Sequence, residues 1–227
     1  MSSAGMRCRP NEVMKRLSLL ATLITMALSG CGHGAPSRPP AAVAPKAGSA
    51  APAPKPGSSA LDGLLREDLA ADSAFPWSAA RRLRWSDFRG QPPGGGVEAA
   101  KTGYALFYAW KCRAQAFEFR VIAAFRPRQS WVKPLIVNDS AQSRSALGHE
   151  QTHFDLTEVH ARRMRQYFKA IPDACRKTDR ELTALARRLL EEEKAEQRRY
   201  DAETGHGLRT AEQATWSRDV TRRLRGE

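Results

Sequence analysis

The sequence predicts an α+β fold, in which a small antiparallel sheet packs against one long helix and further helices follow toward the C-terminus. Two adjoining segments between residues 104 and 125 alternate apolar and polar side chains with a period of two, as half-buried strands do. From about residue 140 onward the apolar residues recur at helical spacing instead. With 227 residues, the chain is long enough for one well-buried domain and too short for two.

The N-terminal segment has the features of a bacterial lipoprotein signal peptide, which we assign to residues 1–31. A basic start at Met14 to Arg16 precedes an apolar run, Leu17 to Leu28, that is too short to span a bilayer comfortably. Leu28 to Cys31 then matches the lipobox, so Cys31 is predicted to carry the lipid; a plain signal peptide with a chance cysteine is the alternative. We therefore expect an exported, envelope-anchored protein. Because Gly32 rather than Asp follows Cys31, we expect it in the outer membrane where the cell has one. Met14 is an alternative start.

Residues 32–60 are rich in Pro, Ala, Gly and Ser and form the predicted disordered linker, because such a composition buries little apolar surface. The predicted folded domain covers residues 61–227 and opens with a short amphipathic helix, Leu61 to Leu69. A turn-forming segment, residues 83–90, leads into the loop at 91–96.

Two strands joined at Ala114 and Gln115 make a predicted hairpin. The residues that share a face are Tyr104, Leu106, Tyr108 and Trp110 in the first strand, and Phe117, Phe119, Val121, Ala123 and Phe125 in the second. The second strand, Ala116 to Phe125, could offer an edge to which an extended peptide adds by main-chain hydrogen bonds.

Three helices are predicted after the sheet. The first runs through His149 to about Ala170 and is capped by residue 138, 139 or 140. The second covers Asp179 to Tyr200, with an apolar stripe, and the third covers Ala211 to Leu224 after a break at two glycines.

Four cysteines fit an exported protein with one disulfide. Cys8 lies before or within the removed segment and Cys31 takes the lipid, which leaves Cys112 and Cys175. Two thiols in an oxidising compartment predict a Cys112–Cys175 bridge, with two buried free thiols as the alternative.

The formal net charge of +13 does not by itself identify a partner. The basic residues are mostly Arg interleaved with Glu along helical stretches, which is typical of a solvated face. Since no nucleic-acid-binding motif accompanies the charge, we expect no nucleic acid partner.

The segment His149-Glu150-Gln151-Thr152-His153 is the strongest chemical signal in the sequence. Histidines at i and i+4 lie about 40° apart around a helix, so both imidazoles can converge on one Zn²⁺ ion. Glu150 is then placed to take a proton from a metal-activated water as the catalytic base. Surface histidines without a metal, or a structural zinc site, are the alternatives.

A catalytic zinc site generally has three protein ligands, so a further one is needed. His160 lies roughly 10 Å further along the helix than His153, and a continuous helix keeps it from the same ion. Glu158 points away from His149 and is expected to pair with Arg162. His206, which we expect in a loop between helices, could swing into the site or could be an exposed loop histidine.

The run from His149 to Glu158, followed by Ala161-Arg162, resembles the signature of a bacterial domain family of unknown function whose members are described as secreted zinc-dependent proteases. The blocks at 83–90 and 200–207 are similar to the same family, so the resemblance spans roughly residues 77–220. It implies His149 and His153 as zinc ligands, Glu150 as the base and His206 as the third ligand, on a zincin-like active-site helix.

These features together predict an envelope-anchored zinc metallopeptidase that hydrolyses amide bonds in a peptide or protein substrate. A non-catalytic zinc-binding lipoprotein and an amidase acting on cell-wall peptides are the alternatives. Within the domain, Asp155 and Glu158 are candidates for contacts behind the zinc ligands or for surface charges. Tyr200 is a candidate for steadying an oxyanion or for simple packing.

Overall fold

The computed structural model describes residues 59–95, 98–138 and 140–226. The predicted signal peptide, its lipidation site Cys31 and nearly all of the predicted linker lie outside these residues. The elements in chain order are α1 (Ala60–Ala71), β1 (Phe75–Pro76), β2 (Ala100–Lys101), β3 (Tyr104–Arg113), β4 (Ala116–Phe125), β5 (Trp131–Val132), α2 (Ala141–Lys169), α3 (Asp179–Thr204) and α4 (Thr210–Arg225), with short 3₁₀ turns between them. The predicted α+β class is confirmed.

The β3–β4 hairpin is the centre of a three-stranded antiparallel sheet with the order β1-β4-β3. Its two-residue turn is Ala114-Gln115, as predicted, and both residues have positive φ, 46° and 67°. Such φ values match the twist of tight hairpin turns. β4 is the middle strand and pairs with β1 at Phe125 and Ala124, so the edge that the sequence suggested for β4 is covered at this end of the strand. A second sheet of two short strands pairs β2 with β5.

The two faces of the main sheet pack against different helices. One face carries Phe107 and Ala124 against Leu65 and Leu69 of α1. The opposite face, with the predicted apolar side chains of β3 and β4, packs against α2 and α3 around Phe168. This alternation is the direct consequence of the period of two in the sequence.

Helix α2 is the central helix, and it is buried on all sides from His149 to Ala161. Ser140 is its N-cap, with its side chain accepting a hydrogen bond from the Ser143 amide. The sheet, α3 and α4 surround it, so its polar residues need partners inside the protein. Asp155, for example, accepts hydrogen bonds from the indole of Trp77 and from Gln151.

Helix α3 extends one turn beyond its predicted end at Tyr200 and ends at Thr204, where Gly205 adopts a left-handed conformation with φ 56°. Glycine is favoured at such a C-cap because it has no Cβ to clash. Asp201 therefore lies on a helix, and the segment between α3 and α4 is shorter than predicted.

Cys112 at the end of β3 and Cys175 in the turn after α2 lie at bonding distance, with Cα atoms 5.7 Å apart and a sequence separation of 63. The structure thus brings together the two cysteines of the predicted bridge. Among the helices described, none combines the length and the apolarity that crossing a membrane requires.

Candidate metal centre

Three side chains from two helices converge on one point. Nε2 of His149 lies 3.1 Å from Nε2 of His153, and Oδ1 of Asp201 lies 3.1 Å and 2.9 Å from these two nitrogens. Ligands about 2.0–2.1 Å from a tetrahedral zinc ion stand about 3.3 Å apart, close to these separations. Two imidazole nitrogens and a carboxylate oxygen are also the donor types that zinc accepts. The residues present therefore fit a divalent metal.

Helical spacing on both elements produces this convergence. His149 and His153 are one turn apart on α2, and Gln197 and Asp201 are one turn apart on the facing side of α3. The two helices pack together along these stripes, with Tyr200 between them. Its ring stacks on His149 with centroids 4.6 Å apart.

Glu150 lies beside the three candidate ligands in a cavity of about 130 Å³. The cavity is lined by Glu98, Ala99, Ala100, Lys101, Thr102, Tyr104, Ala146, His149, Glu150, His153, Asp201 and His206. Glu150 is 4% exposed, and its Oε2 has no hydrogen-bond partner in the part of the chain that the structure describes. A buried carboxylate oxygen without a donor is costly unless another group uses it. This oxygen therefore has unused capacity to accept a hydrogen bond beside the three candidate ligands.

His206 lies at the edge of the same cavity. Its Nδ1 is 3.6 Å from Oδ1 of Asp201, and its side chain is 53% exposed. It stands outside the compact group formed by the other three side chains, whose ligand atoms lie within 4.8 Å of one another. Its φ of 55° is unusual for a residue other than glycine, and the next residue, Gly207, packs directly against His149.

Hydrogen bonds and charges within the site shift the pKa values of Asp201 and His153. Burial alone would raise the pKa of Asp201, but hydrogen bonds from His149 and His153 and the charges of these rings lower it well below its usual range. Burial alone would lower the pKa of His153, but the hydrogen bond to Asp201 and the charges of Glu150 and Asp201 outweigh it and raise it. Asp201 and His153 therefore stabilise each other's charged form.

Tyr104 stands at the start of β3, lines the cavity and stacks against His153 with ring centroids 6.3 Å apart. Burial and the carboxylates of Glu193 and Asp201 raise the pKa of its hydroxyl. Tyr200 is instead fully buried, and its hydroxyl donates toward Oε1 of Gln213 at 2.7 Å and toward the His149 carbonyl at 3.2 Å. Its surroundings therefore favour packing over a role at an oxyanion.

The remaining predicted residues lie away from the centre. α2 is continuous, and His160 faces Oε2 of Glu196 at 2.6 Å, as the helix geometry required. Glu158 pairs with Arg162 at 3.0 Å, as predicted. Asp155 is buried and accepts hydrogen bonds from Trp77 and Arg82, which precede β2 in the chain, and from Gln151. It forms no hydrogen bond with the candidate ligands.

Sequence reasoning missed Asp201. The residue stands inside the 200–207 block on which the resemblance rests, but the sequence predicts that this block is a loop, and the resemblance implies His206 as the third ligand. Its spacing of four from Gln197 and eight from Glu193 was an available signal, because all three fall on one helix face.

A family model described as "Bacterial protein of unknown function (DUF922)" matches residues 89–207, which is more than half of the chain. The matched region contains α2, α3 and all the candidate ligands. No curated protein matches the chain, and no solved structure does.

Proposed function

The chain belongs to this bacterial family of unknown function, and we propose that its folded domain is a zinc-dependent peptidase, exported and held in the cell envelope by a lipid on Cys31. The observation that carries the proposal is the pairing of a three-ligand cluster with a buried, unpartnered carboxylate oxygen of Glu150 in one cavity. Three metal ligands without such a carboxylate would fit a structural metal site equally well.

His149, His153 and Asp201 would hold the metal in this proposal. Asp201 takes the third position, for which the sequence favoured His206, because its carboxylate lies within 3.1 Å of both ring nitrogens. Three protein ligands leave one position open, which is the arrangement of catalytic zinc sites. Zinc would supply Lewis acidity there, polarising a carbonyl and lowering the pKa of water.

Glu150 acts as the general base and then as the acid. It is the residue next to His149, so its carboxylate extends from the same turn of α2 toward the cavity. Its free Oε2 accepts a proton from the attacking water and returns it to the leaving amine. Thr102 stabilises this arrangement, because its hydroxyl donates to the backbone carbonyl of Glu150 at 3.2 Å.

A peptide substrate is supported by the edge of β2. The amide of Lys133 donates to the carbonyl of Ala99 at 2.9 Å, and Ala100 lies opposite Val132. Since hydrogen-bonding direction alternates along an antiparallel strand, the N–H and C=O of Ala100 face away from β5. No described strand pairs with that side, and Ala100 lines the cavity. An extended peptide could therefore add there, in place of the β4 edge considered from the sequence.

The test compares the purified wild-type protein with Glu150→Gln at matched zinc content, on a peptide library and on cell-wall peptides. Glu150→Gln keeps the shape and removes the basic oxygen, so we expect zinc to be retained and hydrolysis to fall roughly 10²–10⁴-fold. Glu191→Gln, an exposed change on α3, is the control. Equal cleavage by wild type and Glu150→Gln would rule out this base. A wild type that binds zinc and cleaves neither substrate class would favour the non-catalytic lipoprotein, and cleavage of cell-wall peptides alone would favour the amidase.

The lipid anchor is tested independently of activity. Metabolic labelling with a fatty-acid analogue should mark the wild-type protein, and Cys31→Ser should lose the label. Equal labelling of both proteins would contradict the anchor and leave the peptidase proposal standing.

A further inference from the structure

Each candidate histidine ligand faces a buried glutamine on the side away from the cluster. Nδ1 of His153 lies 2.7 Å from Oε1 of Gln197 on α3, and Nδ1 of His149 lies 3.0 Å from Oε1 of Gln213 on α4. We propose that Gln197 and Gln213 are a matched pair of positioning residues that present both histidines to the metal through Nε2. This inference rests on the proposed function for the metal itself.

The neighbours of Gln197 determine which way its amide points. Its Nε2 lies 3.0 Å from the carbonyl oxygen of His153, an atom that can only accept. The same nitrogen donates to Oε1 of Glu193 at 2.9 Å and to the hydroxyl of Thr157 at 3.2 Å. Oε1 is therefore the atom that faces the imidazole, and the ring must donate from Nδ1. In the neutral ring the lone pair is then on Nε2 of His153, the nitrogen that faces Asp201 and would bind the metal.

The amide of Gln213 also has its oxygen toward a histidine, and here Thr152, Ser217 and Tyr200 determine the orientation. The hydroxyl of Thr152 donates to the Gly148 carbonyl, which leaves its oxygen free to accept from Nε2 of Gln213 at 3.5 Å. Nε2 also donates to Oγ of Ser217 at 3.1 Å. Oε1 thus faces His149 and also accepts from the hydroxyl of Tyr200.

Amide oxygens hold the two rings without adding charge. Histidines that bind metals generally donate their other ring nitrogen to a carboxylate, a carbonyl or water, and loss of that partner costs roughly 10–100-fold in metal affinity. With glutamines in this place, the carboxylate of Asp201 is the anion in the ligand cluster, and Glu150 remains a separate base. The glutamines come from α3 and α4, so the cluster depends on both helices being docked on α2.

The first test measures Zn²⁺ affinity of the full chain by competition with a chromophoric chelator. Gln197→Met and Gln213→Met keep the side-chain size and remove the acceptor, and each should weaken zinc binding roughly 10–100-fold. Gln213→Glu, which restores an acceptor, should recover affinity. Gln151→Met is the matched control, because Gln151 is an equally buried glutamine of α2 whose amide contacts Leu83 and Asp155 rather than a histidine.

The outcomes separate the two proposals. If the wild type binds zinc and the two methionine variants bind it equally well while folded, the positioning role is wrong and the metal centre stands. If the wild type binds no more zinc than His149→Ala, both proposals fall. A measurement on the wild type tests the inference even if the variants fail to fold. ¹⁵N NMR of the histidines in the zinc-loaded protein should show that Nδ1 carries a proton and that Nε2 binds the zinc. Metal bound at Nδ1 of either ring would overturn the inference.

Discussion

Oδ1 of Asp201 lies 2.9 Å from Nε2 of His153, although 48 residues separate the two in sequence. The contact joins α3 to α2 at the candidate metal centre. Each histidine ring in turn contacts a residue of α3 or α4 through its other nitrogen. The centre therefore forms only when the three helices are packed together, and the zinc ion that we propose there is expected to stabilise that packing.

Replacing Asp201 should remove more zinc than replacing His206. Asp201→Ala deletes an oxygen that lies within 3.1 Å of both ring nitrogens, whereas His206 is half exposed and touches the cluster only through Asp201 at 3.6 Å. We expect Asp201→Ala to be nearly empty and His206→Ala to keep most of its metal. Metal analysis of the purified variants checks this, with His160→Ala as the control, because His160 faces Glu196.

The reverse result would restore the ligand that the sequence favoured. If His206→Ala is empty and Asp201→Ala is full, then the segment after α3 moves when zinc binds and His206 becomes the third ligand. Equal loss in both variants would indicate four protein ligands, which is the arrangement of a structural site.

The four helices and the two long strands of this fold were accessible from the sequence because each carries a periodic signal. The hairpin turn at Ala114-Gln115 agrees with the structure, and Ser140, one of three predicted candidates, is the cap of α2. The pair His149 and His153 was also accessible, since a spacing of four on a helix fixes a common face.

The residues of α3 that contact His149 and His153 could not be predicted from the sequence, for a physical reason. Gln197 and Asp201 have the polarity of a solvated helix face, and only the packing of α3 on α2 shows that Gln197 is buried and that Asp201 points at the histidines. Gly205 suggested a loop because glycine breaks helices, but here it caps the last turn. β2 and β5 have two residues each, too few for any period to be detected.

The Cys112–Cys175 pair is predicted to be bridged and to stabilise the folded domain. Closing 63 residues of chain should contribute about 4 kcal/mol in the chain-entropy model, which corresponds to roughly 10 °C in melting temperature for a domain of this size. The double variant Cys112→Ser, Cys175→Ser should melt lower by that amount, and thiol counting on the denatured wild type should find neither cysteine free. Reactive thiols at Cys112 and Cys175, as distinct from Cys8 and Cys31, would contradict the bridge.

Glu196 should stabilise the protein in a pH-dependent way. Burial alone would raise its pKa, but hydrogen bonds from His160 and Arg223 lower it from 4.5 to about 2. A folded-state pKa below the unfolded one gives stability that is present above about pH 4.5 and lost as the pH falls through about 2. Glu196→Gln should therefore cost at most about 3 kcal/mol at pH 6 and progressively less toward pH 2.

Urea unfolding of the zinc-free proteins across this pH range provides the measurement. Glu191→Gln is the control, because Glu191 forms an ion pair with Lys194 in which both side chains are more than half exposed. Such pairs contribute little. A cost of Glu196→Gln that stays constant from pH 6 to pH 2 would show that packing, rather than charge, accounts for the effect.

Gly207 is predicted to hold His149 in place by lying directly against it. A Cβ at position 207 would come within 3.0 Å of both Cβ and Cγ of His149, and the φ of 82° is unfavourable for other residues. Gly205→Ala is the matched control, since Gly205 also has a positive φ, 56°, but its added Cβ would meet only the flexible side chain of Arg209 at 3.6 Å. Both variants should lose about 1 kcal/mol from the backbone. Only Gly207→Ala should also displace the ring of His149 and weaken zinc binding, which chelator competition would measure. Equal zinc affinity in the two variants would mean that the segment after α3 yields to the added methyl group and that Gly207 does not position the ligand.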